Sequence, residues 1–410
     1  MAKAGRLLLG ICLVSILAMG LAGCSSLNSI FSDYTLSSSS SPSVGGTVSP
    51  ASGTYDEGDN VTLIATPAQY WRFDGWSGDV SGSSDHLTVT MDSNKSVVAA
   101  FIPDTESIST PMTVPVLIVK YFPVSAGMID ISVTGDVSMP LAEARNRTDD
   151  LTAGIIEAME DGSRYHFYRD PSAQPSLTYH VVSTLEYLDP LPTWNKPGHS
   201  VPFTDYNQIM TRINARDWVM NRGVKEIWIW GYDGGKVGLW ESNMSSPWGD
   251  VSNSDRDGTD LPVFEHTYTV YHYNYGRGVS EAVEDHMHQN EAIFRSFNND
   301  LFWNKFVGKV GEGRCGWSHY PPNGVSDYDW ANPNYIWTDI EDWKPDGSGQ
   351  KVYVNSDRWN RDSLTWFIYW MQSTPGMNNS LYDGTKKLAN WWIFIGAYDQ
   401  CKAAGWNLEN

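Results

Sequence analysis

The 410-residue chain carries 48 Asp and Glu against 28 Lys and Arg, a formal charge of −20, and 41% of its residues are hydrophobic. That length and apolar content specify a globular protein of two domains with at least one sizeable core, and exclude a disordered chain. The acidic balance excludes nucleic-acid binding and electrostatic docking on anionic lipid, because both need a surplus of basic groups.

Lys3 and Arg6 precede an apolar stretch from Leu7 to Leu21, and Leu21-Ala22-Gly23-Cys24 follows. A charged start, a short apolar run and small residues before a cleavage point make a secretory signal. The run is shorter than the roughly 20 residues that span a bilayer. The pattern resembles a bacterial lipoprotein signal with its lipobox. That resemblance implies removal of residues 1–23, lipidation of Cys24 and an extracytoplasmic protein whose membrane partner is reached through the lipid anchor. Each buried acyl methylene would contribute about 0.8 kcal/mol. An ordinary secretory signal with an incidental cysteine is the competing reading. Cys12 would leave with the signal, so Cys315 and Cys401 either pair in an oxidising compartment or stay as buried thiols.

Residues 24–43 are Ser-rich, from Ser37 to Ser43 above all, and read as a flexible tether. Residues 44–102 alternate polar and apolar, as in Val61-Thr62-Leu63-Ile64-Ala65, with turn signals at Gly45-Gly46, Glu57-Gly58-Asp59 and Asp92-Ser93-Asn94. This predicts a small antiparallel β module. Gly46-Thr47-Val48, Tyr55-Asp56-Glu57-Gly58, Phe73-Asp74-Gly75-Trp76-Ser77-Gly78-Asp79 and Asn94-Lys95-Ser96-Val97 resemble the divergent internalin-type B repeat of bacterial surface proteins. The resemblance implies a spacer or adhesive module without catalytic residues.

Residues 103–112 form a polar linker, and residues 113–410 a second domain. Val114–Val119 is a continuous apolar run, the mark of a strand buried on both faces. Helix is predicted near 149–160, 206–221 and 279–297, and strand near 177–185, 225–230 and 267–273. Strands alternating with helices predict an α/β fold with a mixed or mostly parallel sheet, preceded by the small all-β module. Sites in such sheets gather at the carboxyl ends of strands, which directs attention to the loops 231–247 and 274–278.

Glu281, Glu284, His288 and Glu291 fall on one face of the 279–297 helix, opposite Val279, Val283, Ile293, Phe294 and Phe297. A solvated acidic face and a metal or acid/base site compete for this pattern. An imidazole flanked by carboxylates is held charged or bound to a cation, so Glu284, His288 and Glu291 are candidate ligands of a divalent metal, zinc or calcium. His286, on the apolar side, reads as a core histidine. Arg277 at the helix start opposes the dipole and calls for Glu281 or an anionic ligand as partner. Glu241, Glu281, Glu284, His319 and Arg277 are the candidate catalytic residues. Asp233, Asn243, Tyr275, Asn323, Asp327, Asp329 and Trp330 are candidate substrate contacts, the last four in a Pro-rigidified loop that also reads as turn chemistry. Asn253, Asp255, Asp257 and Gly258 imitate half of a calcium loop, with Phe264 where its closing carboxylate belongs.

A Gly-rich phosphate loop, Gly-x-Ser-x-Gly and paired Cys-x-x-Cys are absent, which argues against a nucleotide partner and serine-hydrolase chemistry. The segments Trp228-Ile229-Trp230-Gly231, Tyr275-Gly276-Arg277-Gly278, His319 to Trp330 and Asn390-Trp391-Trp392 resemble a group of uncharacterised secreted bacterial proteins, which implies a shared site and no particular reaction. Two functions follow: a lipid-anchored surface hydrolase acting on extracellular glycan or peptide polymer, or a non-catalytic adhesion or carbohydrate-binding lipoprotein. The 19 Trp and 21 Tyr serve either, as core anchors or as sugar platforms.

Overall fold

Strand β1 (Asp33–Ser41) occupies the Ser-rich run whose composition reads as a tether. The computed structural model describes residues 33–68, 71–103, 111–249, 251–253 and 258–409. The signal segment, Cys24, Asp255, Asp257 and most of the linker lie outside them. Strand β1 pairs antiparallel with β3 (Ser52–Asp56) and parallel with β7 (Lys95–Pro103), so it is an interior strand. Ladder hydrogen bonds come from the backbone and do not register in side-chain composition, and one fully buried anchor, Leu36, fixes the register.

The module closes with β2 (Gly46–Ser49), β4 (Asn60–Pro67), β5 (Trp71–Gly78) and β6 (His86–Thr90). They form sheets of order β3-β1-β7-β5 and β2-β4-β6 around a core that includes Leu36, Leu63, Trp76 and Phe101. Trp76 donates its indole N–H to the Ser84 carbonyl at 2.7 Å, which fits a core role.

The larger domain is built on β8 (Met112–Tyr121), β9 (Leu177–Tyr187), β10 (Glu226–Gly231), β11 (Ser242–Ser245) and β12 (Tyr268–Asn274). Their order is β9-β8-β10-β12-β11, with every pair parallel except the antiparallel edge β11–β12. Strands β10 and β12 are buried along their whole length, as expected of parallel strands covered on both faces. Alternation then sorts their side chains. Trp228 and Trp230 face helix α1 (Leu141–Gly162), where Trp230 donates to Thr152 at 2.9 Å. His272 faces the opposite layer, 3.1 Å from the Tyr206 hydroxyl.

The predicted 206–221 helix is two helices, α2 (Tyr206–Arg212) and α3 (Ala215–Arg222). Asn214 between them adopts φ 54°, a left-handed conformation that asparagine tolerates. The Trp218 indole takes the Ile213 carbonyl freed at the break, at 3.0 Å. Helix α4 (Val279–Asn299) follows β12 and packs against α1 and α5 (Ser363–Ser373). Cys315 and Cys401 are buried free thiols. Among the described residues, no helix is long and apolar enough to cross a membrane.

Candidate metal centre

Helix α4 starts where β12 ends. Gly278 caps it, with Glu281 Oε2 accepting the Gly278 N–H at 3.2 Å. Glu281 is thereby committed to the helix end, and Arg277 turns to Asp233, 3.5 Å away, rather than to Glu281. Arg147 on α1 donates to the carbonyls of Tyr275 and Arg277 at 2.6 and 2.7 Å, fixing the loop before the helix. That role left no local signal in the sequence, because its targets are backbone atoms on a distant segment.

One and two turns along α4, Glu284 and His288 project toward the segment 315–330. His319 Nε2 stands 2.8 Å from Glu284 Oε1 and 3.0 Å from His288 Nε2. His288 Nε2 is 3.6 Å from the same carboxylate oxygen. Each of these residues offers one ligand atom within 4.8 Å of the others. Two imidazole nitrogens converging on one carboxylate oxygen need a shared proton or a cation between them. The donor set suits zinc, which takes nitrogen and carboxylate oxygen, better than calcium, which takes oxygen alone.

Glu291 sits behind the cluster. It accepts the Ser318 N–H at 2.8 Å and lies 3.5 Å from His288 Nδ1, where Ser318 Oγ also stands at 3.1 Å. It thus faces the far ring nitrogen of His288, the place a carboxylate takes behind a metal-bound imidazole, and the three residues whose ligand atoms converge are Glu284, His288 and His319. Burial penalises both charges, yet hydrogen bonds from the two imidazoles pull the Glu284 carboxyl down to about 2. Against the same burial, Glu284 and Glu291 push His288 up to about 10.

Tryptophans hold the His319 segment. Trp366 and Trp370, one turn apart on α5, donate to the Ser318 and Gly316 carbonyls at 3.0 and 2.8 Å, and Trp330 adds a second donor to Ser318 at 2.9 Å. A buried indole N–H needs a partner, and here three of them fix the backbone on either side of Trp317 and before His319. Trp330 is thus a positioning residue. Tyr328, within the 319–330 segment but without a role assigned from sequence, packs 4.3 Å from the His319 ring and adopts φ 64°. A bulky residue in the left-handed region is an outlier that points to a site.

Glu241 links this cluster to a second chamber. Its carboxylate raises Asp285, which burial foremost holds well above the ordinary range, and it acts on His288 as well. Asp233, Glu241, Asn274, Arg277, Glu281 and Asp285 line a cavity of about 110 Å³ beyond the carboxyl ends of β10 and β12. Thus Glu241, Glu281, Arg277 and Asp233 share one cavity, next to Glu284, His288 and His319. Asp327 is exposed, 3.7 Å from His319 Nδ1.

Four of the candidate substrate contacts are engaged within the protein itself. Tyr275 is fully buried against Phe122 and Tyr232. Asn243 is buried in edge strand β11, accepting from Ser252 at 2.8 Å. Asn323 donates to the Asn332 and Asn334 carbonyls, and Asp329 accepts from Val325 N and Asn332, so both serve the turn. Short polar side chains in a Pro-rich loop close on their own backbone more readily than on a ligand. Of the half calcium loop, Asn253 donates to Glu241 at 3.3 Å. His286 is a core residue, 2.7 Å from the Tyr273 hydroxyl and stacked on Tyr271. A cleft of about 730 Å³ near Asn378 and Trp406 carries no histidine and lies apart from these groups.

Residues 34–105 match the family described as the divergent InlB B-repeat domain. The match begins within β1, ten residues before the predicted module. Comparison with curated proteins found no match, and comparison with solved structures found none either. The N-terminal module is therefore similar to an InlB-type B-repeat, and the larger α/β domain carries a Glu284/His288/His319 cluster able to coordinate a metal.

Proposed function

We propose that this chain is a lipid-anchored extracytoplasmic protein whose larger domain is a metal-dependent hydrolase of extracellular polymer, glycan before peptide. The convergence of Glu284, His288 and His319 carries the reading. A divalent ion held there would lower the pKa of a bound water and polarise the bond to be broken. The surrounding groups suit that chemistry. Glu291 and Ser318 hold His288 by Nδ1 with Nε2 toward the cluster. Glu241, on the wall of the adjoining cavity, would serve as the general base that takes the proton of the attacking water. The Tyr328 hydroxyl donates to charge developing on the substrate oxygen. The B-repeat would hold the domain away from the surface, and Cys24 would anchor it.

Elemental analysis of the purified chain and of His288→Ala tests the reading. Stoichiometric transition metal in wild type, lost in the variant, is expected; its absence from wild type would refute the metal site.

A second reading, non-catalytic carbohydrate binding, draws on a different feature. Tyr335, Trp337 and Tyr353 are more than half exposed on the outer face of the hairpin Ile336–Thr338 and Val352–Val354. The Tyr335 and Tyr353 rings stack with centroids 4.8 Å apart, and Trp337 lies tilted against Tyr353 at 5.0 Å. Three neighbouring exposed aromatic rings form the kind of platform onto which a sugar ring presents its apolar face.

A further inference from the structure

The face of α4 that carries His288 continues into a groove of about 520 Å³, whose lining includes Glu291, Arg295, Asn299, Trp303 and Trp317. Two turns beyond His288, about 10 Å along the helix axis, Arg295 lies exposed with its guanidinium carbon 5.0 Å above the Trp303 ring. Trp303 in turn packs on Trp317 at 5.6 Å, and Trp317 on Tyr320 at 4.3 Å. Among the described residues Arg295 makes no ion pair, in a chain with 48 acidic residues against 28 basic ones. Glu291, one turn away and the nearest acid on the same helix face, is already engaged by Ser318 N and His288.

Stacking on an indole uses the face of the guanidinium and leaves its in-plane N–H donors free, in the fork geometry that matches a carboxylate. The adjoining wall offers flat aromatic surface, and Asn253 and Asn299 bring side-chain amides to it, groups suited to hydroxyls. From this geometry we infer that the groove binds a carboxylate-bearing sugar, a uronic acid unit of a glycan, with its carboxylate on Arg295 and its ring against the Trp303–Trp317 wall. The inference rests on the proposed hydrolase reading and names its substrate class. One guanidinium beside a committed carboxylate matches a singly charged group rather than a doubly charged phosphate monoester, and its planar fork pairs with the two coplanar oxygens of a carboxylate better than with a tetrahedral sulfate ester. The net charge of −20 disfavours dense polyanions, so the fitting polymer has uronates spaced among neutral sugars.

The test is calorimetric titration of the full chain with a glucuronic-acid-containing oligosaccharide and with the same oligosaccharide after reduction of its carboxyl to an alcohol. Wild type should bind the uronate at least tenfold more tightly, and Arg295→Gln should erase that difference while Arg295→Lys, which keeps the charge without the fork, retains part of it. Equal binding of the two sugars by wild type, no binding of either, or an undiminished difference in Arg295→Gln overturns the inference. So does a peptide with a free C-terminal carboxylate that binds more tightly than the uronate and loses this in Arg295→Gln. Metal content measured on the same samples separates the two readings. Uronate preference without metal refutes the hydrolase site alone, and metal without uronate preference refutes this groove assignment alone.

Discussion

His288 and His319 face each other Nε2 to Nε2 at 3.0 Å across 31 residues of sequence, one from a helix and the other from a loop pinned by indole N–H groups. Neither can hold a metal alone. His319→Ala should therefore lose metal as completely as His288→Ala, with affinity down by about a hundredfold or more, while far-ultraviolet circular dichroism stays unchanged because His319 is partly exposed. Stoichiometric metal retained by His319→Ala would remove this residue from the ligand set.

The Trp366 indole donates to the carbonyl of Ser318, the residue before His319. Trp366→Phe keeps the aromatic bulk and removes that donor, leaving Trp330 as the other donor to the same oxygen. A stability loss of about 1–3 kcal/mol is expected from the lost hydrogen bond and the small cavity. Metal affinity should fall by about 10–100-fold, as for other supports of a ligand. Thermal denaturation and metal titration read the two effects separately. A lowered melting temperature with unchanged affinity would make Trp366 a core residue only.

Periodicity was enough to place α4 and its polar face, and the continuous apolar runs were enough to place β8 and β10. The lower-order part of the site was harder to see. Glu284 and His288 could be paired because i and i+4 meet on any helix, but no local pattern ties His319 to them. That contact depends on Trp366 and Trp370, which lie about fifty residues further on. Glu291 has the spacing of a ligand because its offset from His288 is also helical; its hydrogen bond from Ser318 N, which puts its carboxylate behind the ring, depends on a residue 27 positions away. The Ser-rich strand β1 misled for the opposite reason. Its pairing partners 52–56 and 95–100 are remote, and its alternating serines bury almost nothing.

Tyr335, Trp337 and Tyr353 keep large ring surfaces in water, where cross-strand stacking contributes roughly 0.2–1 kcal/mol per pair. If the platform serves sugar binding, Trp337→Ala should weaken retention on a neutral polysaccharide affinity gel severalfold with little change in melting temperature. Unchanged retention with a lowered melting temperature would show that the rings only staple the hairpin.

Lys196 and Asp260 form a buried pair at 2.6 Å, with the Trp240 indole donating to the same carboxylate at 2.5 Å and the ammonium 5.1 Å above the Trp240 ring. Both side chains are nearly inaccessible. Lys196→Met would strand the carboxylate, at a cost of about 3–5 kcal/mol. The double variant Lys196→Met, Asp260→Leu should recover most of that, which urea denaturation would show. A Lys196→Met midpoint equal to wild type would mean that the pair contributes nothing.

Glu226 is fully buried on β10, and burial pushes its carboxyl up to about 8 despite the hydrogen bond it accepts from the Trp228 indole. In the unfolded chain it would titrate near the ordinary glutamate value of 4.5. Below that value both states are protonated and the residue is neutral to stability. Between about 4.5 and 8 the unfolded state ionises while the folded state stays protonated, so the contribution of Glu226 turns against folding as pH rises. Above 8 it levels off. His272 and His286, held neutral by burial at about 3, act in the opposite sense below pH 6.5, so the raw profile mixes the effects. Subtracting Glu226→Gln isolates the glutamate, because glutamine can still accept from Trp228 and cannot ionise. The variant should match wild type at pH 4 and gain on the order of a few kcal/mol over it by pH 8. Denaturant unfolding at a series of pH values gives the difference directly, and a difference flat with pH would mean that Glu226 is not the buried acid that limits stability in this window.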